Sequence, residues 1–129
     1  MRVLVDSSVW IDYFRSGENA TSLDWLIDEN LLVINDIILA ELVPFLRLKK
    51  QTSIIRLLNA LEKLPLKIEW AEIIEFQVKC LEAGFNGLGI PDLLIAQNVR
   101  QSGCQIYSLD KHFRLVSQII DIDVMETEP

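Results

Sequence analysis

Residues 3–11 read Val-Leu-Val-Asp-Ser-Ser-Val-Trp-Ile. The three apolar residues at the start are typical of a buried strand, because a strand covered on both faces shows no polar alternation. Ser7 or Ser8 can then cap a helix that runs through about Phe14. A buried strand that passes at once into a helix is the opening unit of an α/β fold, and Asp6 stands where the two meet.

The rest of the chain repeats this alternation of short apolar runs and helical patterns. Further strands are predicted at residues 31–34, 66–68, 105–108 and 121–124. Further helices are predicted from Thr21 or Ser22 to Glu29 and at residues 37–48, 53–64, 70–82 and 91–101, with a short one after Asp110. This order predicts a single α/β domain, residues 1–129, with a mainly parallel central sheet.

Two residues affect where the predicted helices end or bend. Gly17 is the expected stop of the first helix. Pro44 falls inside the helix at 37–48, and we expect it to kink or split that helix, since proline removes a donor and clashes one turn back.

The composition excludes several classes of protein. No charge-free stretch exceeds nine residues, so a membrane-spanning helix is not expected. The start of the sequence lacks the apolar region of a signal peptide, and the two cysteines form no CxxC pair, which favours a reduced, cytoplasmic protein. The net charge of -7 argues against indiscriminate nucleic-acid binding, which usually requires a basic excess.

Two acids follow predicted strands. Asp6 comes directly after residues 3–5, and Asp110 comes shortly after residues 105–108. In an open parallel sheet, ligands bind outside the carboxyl ends of the strands, so both side chains are candidates for one site. Each could instead cap the helix that follows it, and neither residue alone decides between the two roles.

Two further acids lie in predicted helices. Glu41 is surrounded by apolar residues in Ile38-Leu39-Ala40-Glu41-Leu42-Val43, a setting that calls for a cation because buried Glu is rare without a partner. A polar stripe on a buried helix would explain it equally well. Asp92 follows Pro91 in the first turn of its helix, where the helix dipole alone would also favour an acid.

Considered together, the four acids suggest a metal site. Several carboxylates at one end of a sheet repel each other, and a divalent cation removes that penalty. Ligands that are all oxygen, without histidine or cysteine, suit Mg²⁺ or Mn²⁺ rather than Zn²⁺. Such a cation suits phosphoryl chemistry, because it polarises a phosphate and lowers the pKa of water.

At these residues the sequence resembles the PIN-domain ribonucleases and, within them, the VapC toxins of toxin–antitoxin pairs. Residues 3–11 are similar to the family's first acidic motif. The later motifs are matched, in order, by Ile-Leu-Ala-Glu-Leu at 38–42, Ile-Pro-Asp-Leu-Leu-Ile-Ala at 90–96 and Tyr-Ser-Leu-Asp-Lys-His-Phe at 107–113. Each motif alone is weak, but four in order across essentially the whole chain are specific.

The resemblance implies a sheet sandwiched by helices and a Mg²⁺- or Mn²⁺-dependent endoribonuclease. It assigns Asp6 and Asp92 as metal ligands, Glu41 to the ion or its water, and Asp110 to a role through water or at a second ion. Ser7 and Ser108 match small hydroxyl positions that orient carboxylates or water. The implied partners are single-stranded or loop RNA, a cognate VapB-type antitoxin and a second copy of the chain, with no membrane.

The last motif departs from the family pattern at His112. That position often carries a further acid, so the histidine weakens the prediction of a second fixed metal. A contact between His112 and phosphate is one alternative, and an exposed helix residue is another.

A second class of function also remains open. A noncatalytic Mg²⁺-binding signalling module, such as a receiver-like domain, also places acids at strand ends. That class usually has an adjacent acidic pair after the first strand, whereas Asp6 is followed by Ser7 and Ser8.

Overall fold

The computed structural model describes residues 1–15 and 20–126, and the helix stop predicted at Gly17 lies outside these residues. The strands are β1 (Val3–Val5), β2 (Leu32–Ile34), β3 (Glu62–Lys63), β4 (Gln105–Tyr107) and β5 (Asp123–Val124). The helices are α1 (Ser7–Arg15), α2 (Ala20–Asp28), α3 (Asp36–Leu48), α4 (Thr52–Ala60), α5 (Trp70–Glu82), α6 (Ile90–Ser102) and α7 (His112–Val116). The predicted α/β class is confirmed.

The sheet has the strand order β3-β2-β1-β4-β5, and every pairing in it is parallel. β1 is the central strand: Leu4 is paired with Val33 on one side and with Ile106 on the other. Its three residues, Val3–Val5, are all buried, which explains the continuous apolar run in the sequence.

The helices form two groups, one on each face of the sheet. Helix α3 contacts α1 and α4, whereas α6 contacts α5 and α7. Connections between parallel strands are right-handed, so the face on which a connecting helix lies depends on the direction from one strand to the next across the sheet. The chain moves across the sheet in one direction from β1 to β3 and in the opposite direction after β3. It therefore leaves the neighbouring strands β1 and β4 towards opposite faces of the sheet.

Two buried amides connect α3 with α6. Asn35 caps α3, since its Oδ1 accepts a hydrogen bond from the backbone N–H of Ile38 at 2.9 Å. Its Nδ2 donates to Oδ1 of Asn98 at 2.8 Å, and Asn98 in turn donates to the carbonyl of Pro65 at 2.9 Å. The N-cap residue of α3 is therefore Asn35.

One element prediction is wrong, and a second is contradicted in one of its two forms. Residues 66–68 form no strand; the third strand is β3, a two-residue exposed strand at the edge of the sheet, and α4 ends at Ala60, before it. Helix α3 is not split at Pro44, because one continuous helix spans that residue. Within residues 1–15 and 20–126, no helix is long and apolar enough to cross a membrane.

Candidate functional site

The site lies where β1 and β4 end side by side. Because the chain leaves these two strands in opposite directions, their carboxyl ends form a topological switch point, the usual position of a ligand crevice in an open α/β sheet. Asp6 follows β1, and its backbone N–H donates to the carbonyl of Tyr107 in β4 at 2.9 Å. Ser108 and Asp110 follow β4 on the same edge.

Asp6 is the buried acid of the site, with only 7% of its surface exposed. Its Oδ2 accepts two hydrogen bonds, from the hydroxyl of Ser8 at 2.8 Å and from that of Ser108 at 2.9 Å. Both serines accept in turn: Ser8 Oγ from the N–H of Leu109 at 3.1 Å, and Ser108 Oγ from the N–H of Asp110 at 3.0 Å. The two serines therefore fix the carboxylate of Asp6 and join the ends of β1 and β4.

Ser8 belongs to the site by its hydrogen bonds, although the motifs did not select it. Ser7 and Ser108 match the family's hydroxyl positions, yet the structure turns Ser7 away from Asp6 and towards Glu41, with 3.4 Å between Ser7 Oγ and Glu41 Oε1. The sequence shows two serines directly after Asp6, and it does not indicate which of them binds the carboxylate.

Glu41 extends from α3 towards the same site. The residue is exposed as a whole, but its carboxyl is flanked by α1, and loss of hydration there is the largest cause of the raised pKa of Glu41. The negative charge of Asp6 raises this pKa further, and that of Asp92 adds to the effect, while the Ser7 hydrogen bond opposes both. The three carboxylates are therefore close enough to repel one another.

Asp92 lies in the first turn of α6. Burial is the main cause of its raised pKa, and the charges of Asp110 and Asp6 raise it further. The backbone N–H of Gly89 donates to its Oδ2 at 3.2 Å and, together with His112, acts in the opposite direction. The first-turn position expected for Asp92 is confirmed, since its carboxylate accepts from the N-cap residue of α6 while it faces the other acids.

Asp110 and His112 complete the site. Oδ1 of Asp110 accepts a hydrogen bond from the backbone N–H of His112 at 2.9 Å, and the ring Nδ1 of His112 lies 2.9 Å from the same oxygen. The N-cap position of α7 is Lys111 and not Asp110, although Asp110 binds the first backbone N–H of that helix. The charge of Asp110 also acts on Asp92. All four acids selected from the sequence meet at one edge of the sheet.

A parallel sheet that carries four acids around its switch point defines a class of α/β protein with a site suited to phosphate chemistry. Within that class the chain belongs to the PIN domain family, whose model matches residues 3–119. The family indicated by the sequence motifs is confirmed. No curated protein matches the chain.

Three solved structures share the fold over nearly the whole chain. VapBC2 from Rickettsia felis bound to a DNA fragment from their promoter has 18% identity and a TM-score of 0.76, covering 99% of this chain and 100% of that one. DNA-bound VapBC from Salmonella typhimurium has 14% identity and a TM-score of 0.72, covering 97% of each chain. FitAcB from Neisseria gonorrhoeae has 20% identity and a TM-score of 0.65, covering 96% of each.

Proposed function

We propose that this protein is a divalent-metal-dependent endoribonuclease that hydrolyses RNA phosphodiester bonds in the cytoplasm, as the VapC-type toxin of a toxin–antitoxin pair. One observation carries the proposal: in a PIN-family chain, four acids converge at the switch point of the sheet, where burial first, and the charges of the neighbouring acids after it, raise the pKa values of Glu41 and Asp92. A cation would relieve this repulsion, because a positive charge stabilises every carboxylate around it.

The residues present fit such a cation in their chemistry. Carboxylate and hydroxyl oxygens are ligands that Mg²⁺ and Mn²⁺ prefer. Within residues 1–15 and 20–126, however, no three acid, histidine or cysteine side chains are already arranged to hold one ion. Asp6 and Asp92 would hold the ion, Glu41 would act on the ion or its water, and Asp110 would act through water or at a second ion. When bound, the cation would polarise the scissile phosphate and lower the pKa of water.

The chain's own groups have separate tasks in this proposal. Ser8 and Ser108 keep Asp6 in one orientation, so that its Oδ1 is directed to the site without rotamer freedom. Glu41 orients the attacking water and accepts its proton as the water oxygen bonds to phosphorus. The phosphorus–oxygen bond to the next nucleotide breaks in the same displacement, and solvent protonates the leaving oxygen.

A VapB-type antitoxin is the partner that we propose for the same edge of the sheet. Of the three solved structures compared above, two are named VapBC. The chain has a net charge of -7, and the acids at the site concentrate negative charge there. A basic segment of an antitoxin would complement that charge and cover the acids. We also propose a homodimer, which sedimentation of the purified protein would test.

The test is cleavage of RNA by the purified protein with Mg²⁺, with Mn²⁺ and with a chelator. Asp92→Asn should abolish cleavage without unfolding the protein, because Asn keeps an oxygen for the Gly89 N–H but loses the charge. Glu75→Gln is the matched control, since Glu75 is exposed on α5 and its substitution removes the same single charge away from the site.

Unchanged cleavage by Asp92→Asn, or cleavage that persists in chelator, would refute the proposal. Labelling by a small phosphodonor separates it from the receiver-like alternative. A stable acyl-phosphate on Asp6 would support that signalling role.

A further inference from the structure

The loop between α5 and α6 contains three glycines and supports two of the four acids. Gly89 donates its N–H to Asp92, as described above. Gly87 lies against the ring of His112: a Cβ on Gly87 would stand 2.8 Å from Nε2 and 3.2 Å from Cε1. Real Cβ atoms essentially never approach another heavy atom to 2.8 Å, so the ring occupies space that only glycine leaves open.

His112 transmits this contact to Asp110. Its backbone N–H donates to Oδ1 of Asp110, and its ring Nδ1 lies 2.9 Å from the same oxygen, which leaves Oδ2 for another partner. These two contacts restrict the position of the carboxylate. The ring thus lies between Asp110, next to Nδ1, and Gly87, next to Nε2.

We propose that His112 is a positioning residue, which aims Asp110 at the cation site, and that Gly87 is required because any side chain there would displace the ring. This inference rests on the proposed function, because that proposal supplies the cation that Asp110 would reach. It also explains how the chain functions without a further acid at position 112: an acid there would repel Asp110, whereas His112 donates to it. One loop would then align Asp92 and Asp110 together.

The first experiment observes the ring directly. His112 is the single histidine of the chain, so its ring nitrogens give one set of signals in a long-range ¹H–¹⁵N spectrum of the metal-free protein. We expect a proton on Nδ1, and we expect both Asp110→Ala and Gly87→Ala to shift the ring signals. A ring that carries its proton on Nε2 alone, or signals that Gly87→Ala leaves in place, would overturn the proposal.

The second experiment measures the affinity for Mn²⁺ from the free-ion signal in electron paramagnetic resonance. His112→Leu and Gly87→Ala should each weaken binding by about tenfold, the usual effect of losing a group that orients a ligand. His112→Asn should bind nearly as well as the wild type, because its side-chain N–H replaces Nδ1–H. Asn86→Ala, an exposed neighbour in the same loop, is the control.

The double variant Gly87→Ala/His112→Asn is the decisive one. Asn has no atoms where Cε1 and Nε2 stand, so the new Cβ should keep only the ordinary 3.7 Å contact at the Cδ2 position, and the double variant should match His112→Asn. A double variant as weak as Gly87→Ala would overturn the proposal, as would unchanged Mn²⁺ affinity in His112→Leu. Thermal unfolding of each variant excludes loss of fold as the cause.

These measurements separate the inference from the proposed function. A wild type that binds Mn²⁺ but cuts no RNA would refute the nuclease, while the affinity series would still decide the role of His112. A wild type that binds no Mn²⁺ would refute both.

Discussion

The hydroxyl of Ser108 donates a 2.9 Å hydrogen bond to Oδ2 of Asp6, across 102 positions of sequence. The bond connects the residue after β4 with the residue after β1, so the two strands that flank the switch point share one polar contact. Ser108 also accepts the N–H of Asp110, and it therefore orients one acid while it anchors the segment that carries another.

Ser108→Ala should lower both stability and activity. The variant loses one donor to a buried carboxylate and one acceptor for a backbone N–H, which together cost about 1–3 kcal/mol of unfolding free energy. RNA cleavage should fall by about tenfold, because Asp6 keeps only Ser8 as its orienting donor. Urea unfolding and cleavage rates measure the two effects. Ser53→Ala, on the exposed start of α4, should change neither.

The pH dependence of the metal-free protein should reflect Glu41 and Asp92. Their pKa values are raised in the fold above ordinary values of 4.5 and 3.8. An acid whose pKa is raised by folding stabilises the fold below its unfolded pKa, and that contribution is lost as the pH rises through the folded value. The free energy of unfolding contributed by these two groups should therefore fall as the pH rises above about 4.

A comparison of the wild type with Asp92→Asn isolates the contribution of Asp92 to this pH dependence. Asp92→Asn carries no titrating group at position 92, so its stability relative to the wild type should increase from about pH 4 to about pH 7 in chelator. Urea unfolding at each pH gives the difference, and a difference that stays constant would contradict the repulsion inferred at the site.

Asn35→Ala should be strongly destabilising. It removes the cap of α3 and leaves Oδ1 of the buried Asn98 without its donor, which together cost about 2–4 kcal/mol. Cleavage should fall as well, because the start of α3 positions Glu41. Asn59→Ala, on the exposed side of α4, provides the comparison. Equal unfolding free energies for the two variants would show that the buried amides do not stabilise the fold.

Gly103→Ala should destabilise the fold without changing the site. Gly103 ends α6 with a φ of 64°, and nothing lies within 4 Å of the position of a Cβ, so the cost is conformational and amounts to about 1 kcal/mol. Gly103→Asn should cost less, because Asn tolerates this backbone conformation better. Mn²⁺ affinity should equal that of the wild type in both variants, and a weaker affinity would contradict this separation.

Sequence periodicity predicted the elements that pack an apolar face or both faces against the core. Residues 3–5 and the helix at 70–82 appear as expected, because their apolar spacing reflects the core that they form. β3 was missed because Glu62 and Lys63 are exposed, so no apolar pattern marks them. Pro44 was expected to kink or split α3, yet the apolar residues Ile38, Leu42 and Leu46 are buried along one continuous helix. Burial of that face outweighs the hydrogen bond that proline removes.

The acids of the site could be selected from the sequence because each follows a strand or opens a helix next to one. Their orienting groups could not be assigned in the same way. Ser8 reaches Asp6 as a neighbour in sequence, but its link to Leu109 depends on the register between β1 and β4. The contact between Gly87 and His112 is likewise a tertiary one, which no local pattern encodes.

The strand order has a consequence for the time at which the site forms during synthesis. During translation, β1 emerges from the ribosome first. One of its two neighbours in the sheet is β4, which emerges only after most of the chain. Until then Asp6 lacks the hydroxyl of Ser108, and both Asp92 and Asp110 are late residues. A nascent chain therefore cannot carry the complete acidic site until most of its residues have emerged.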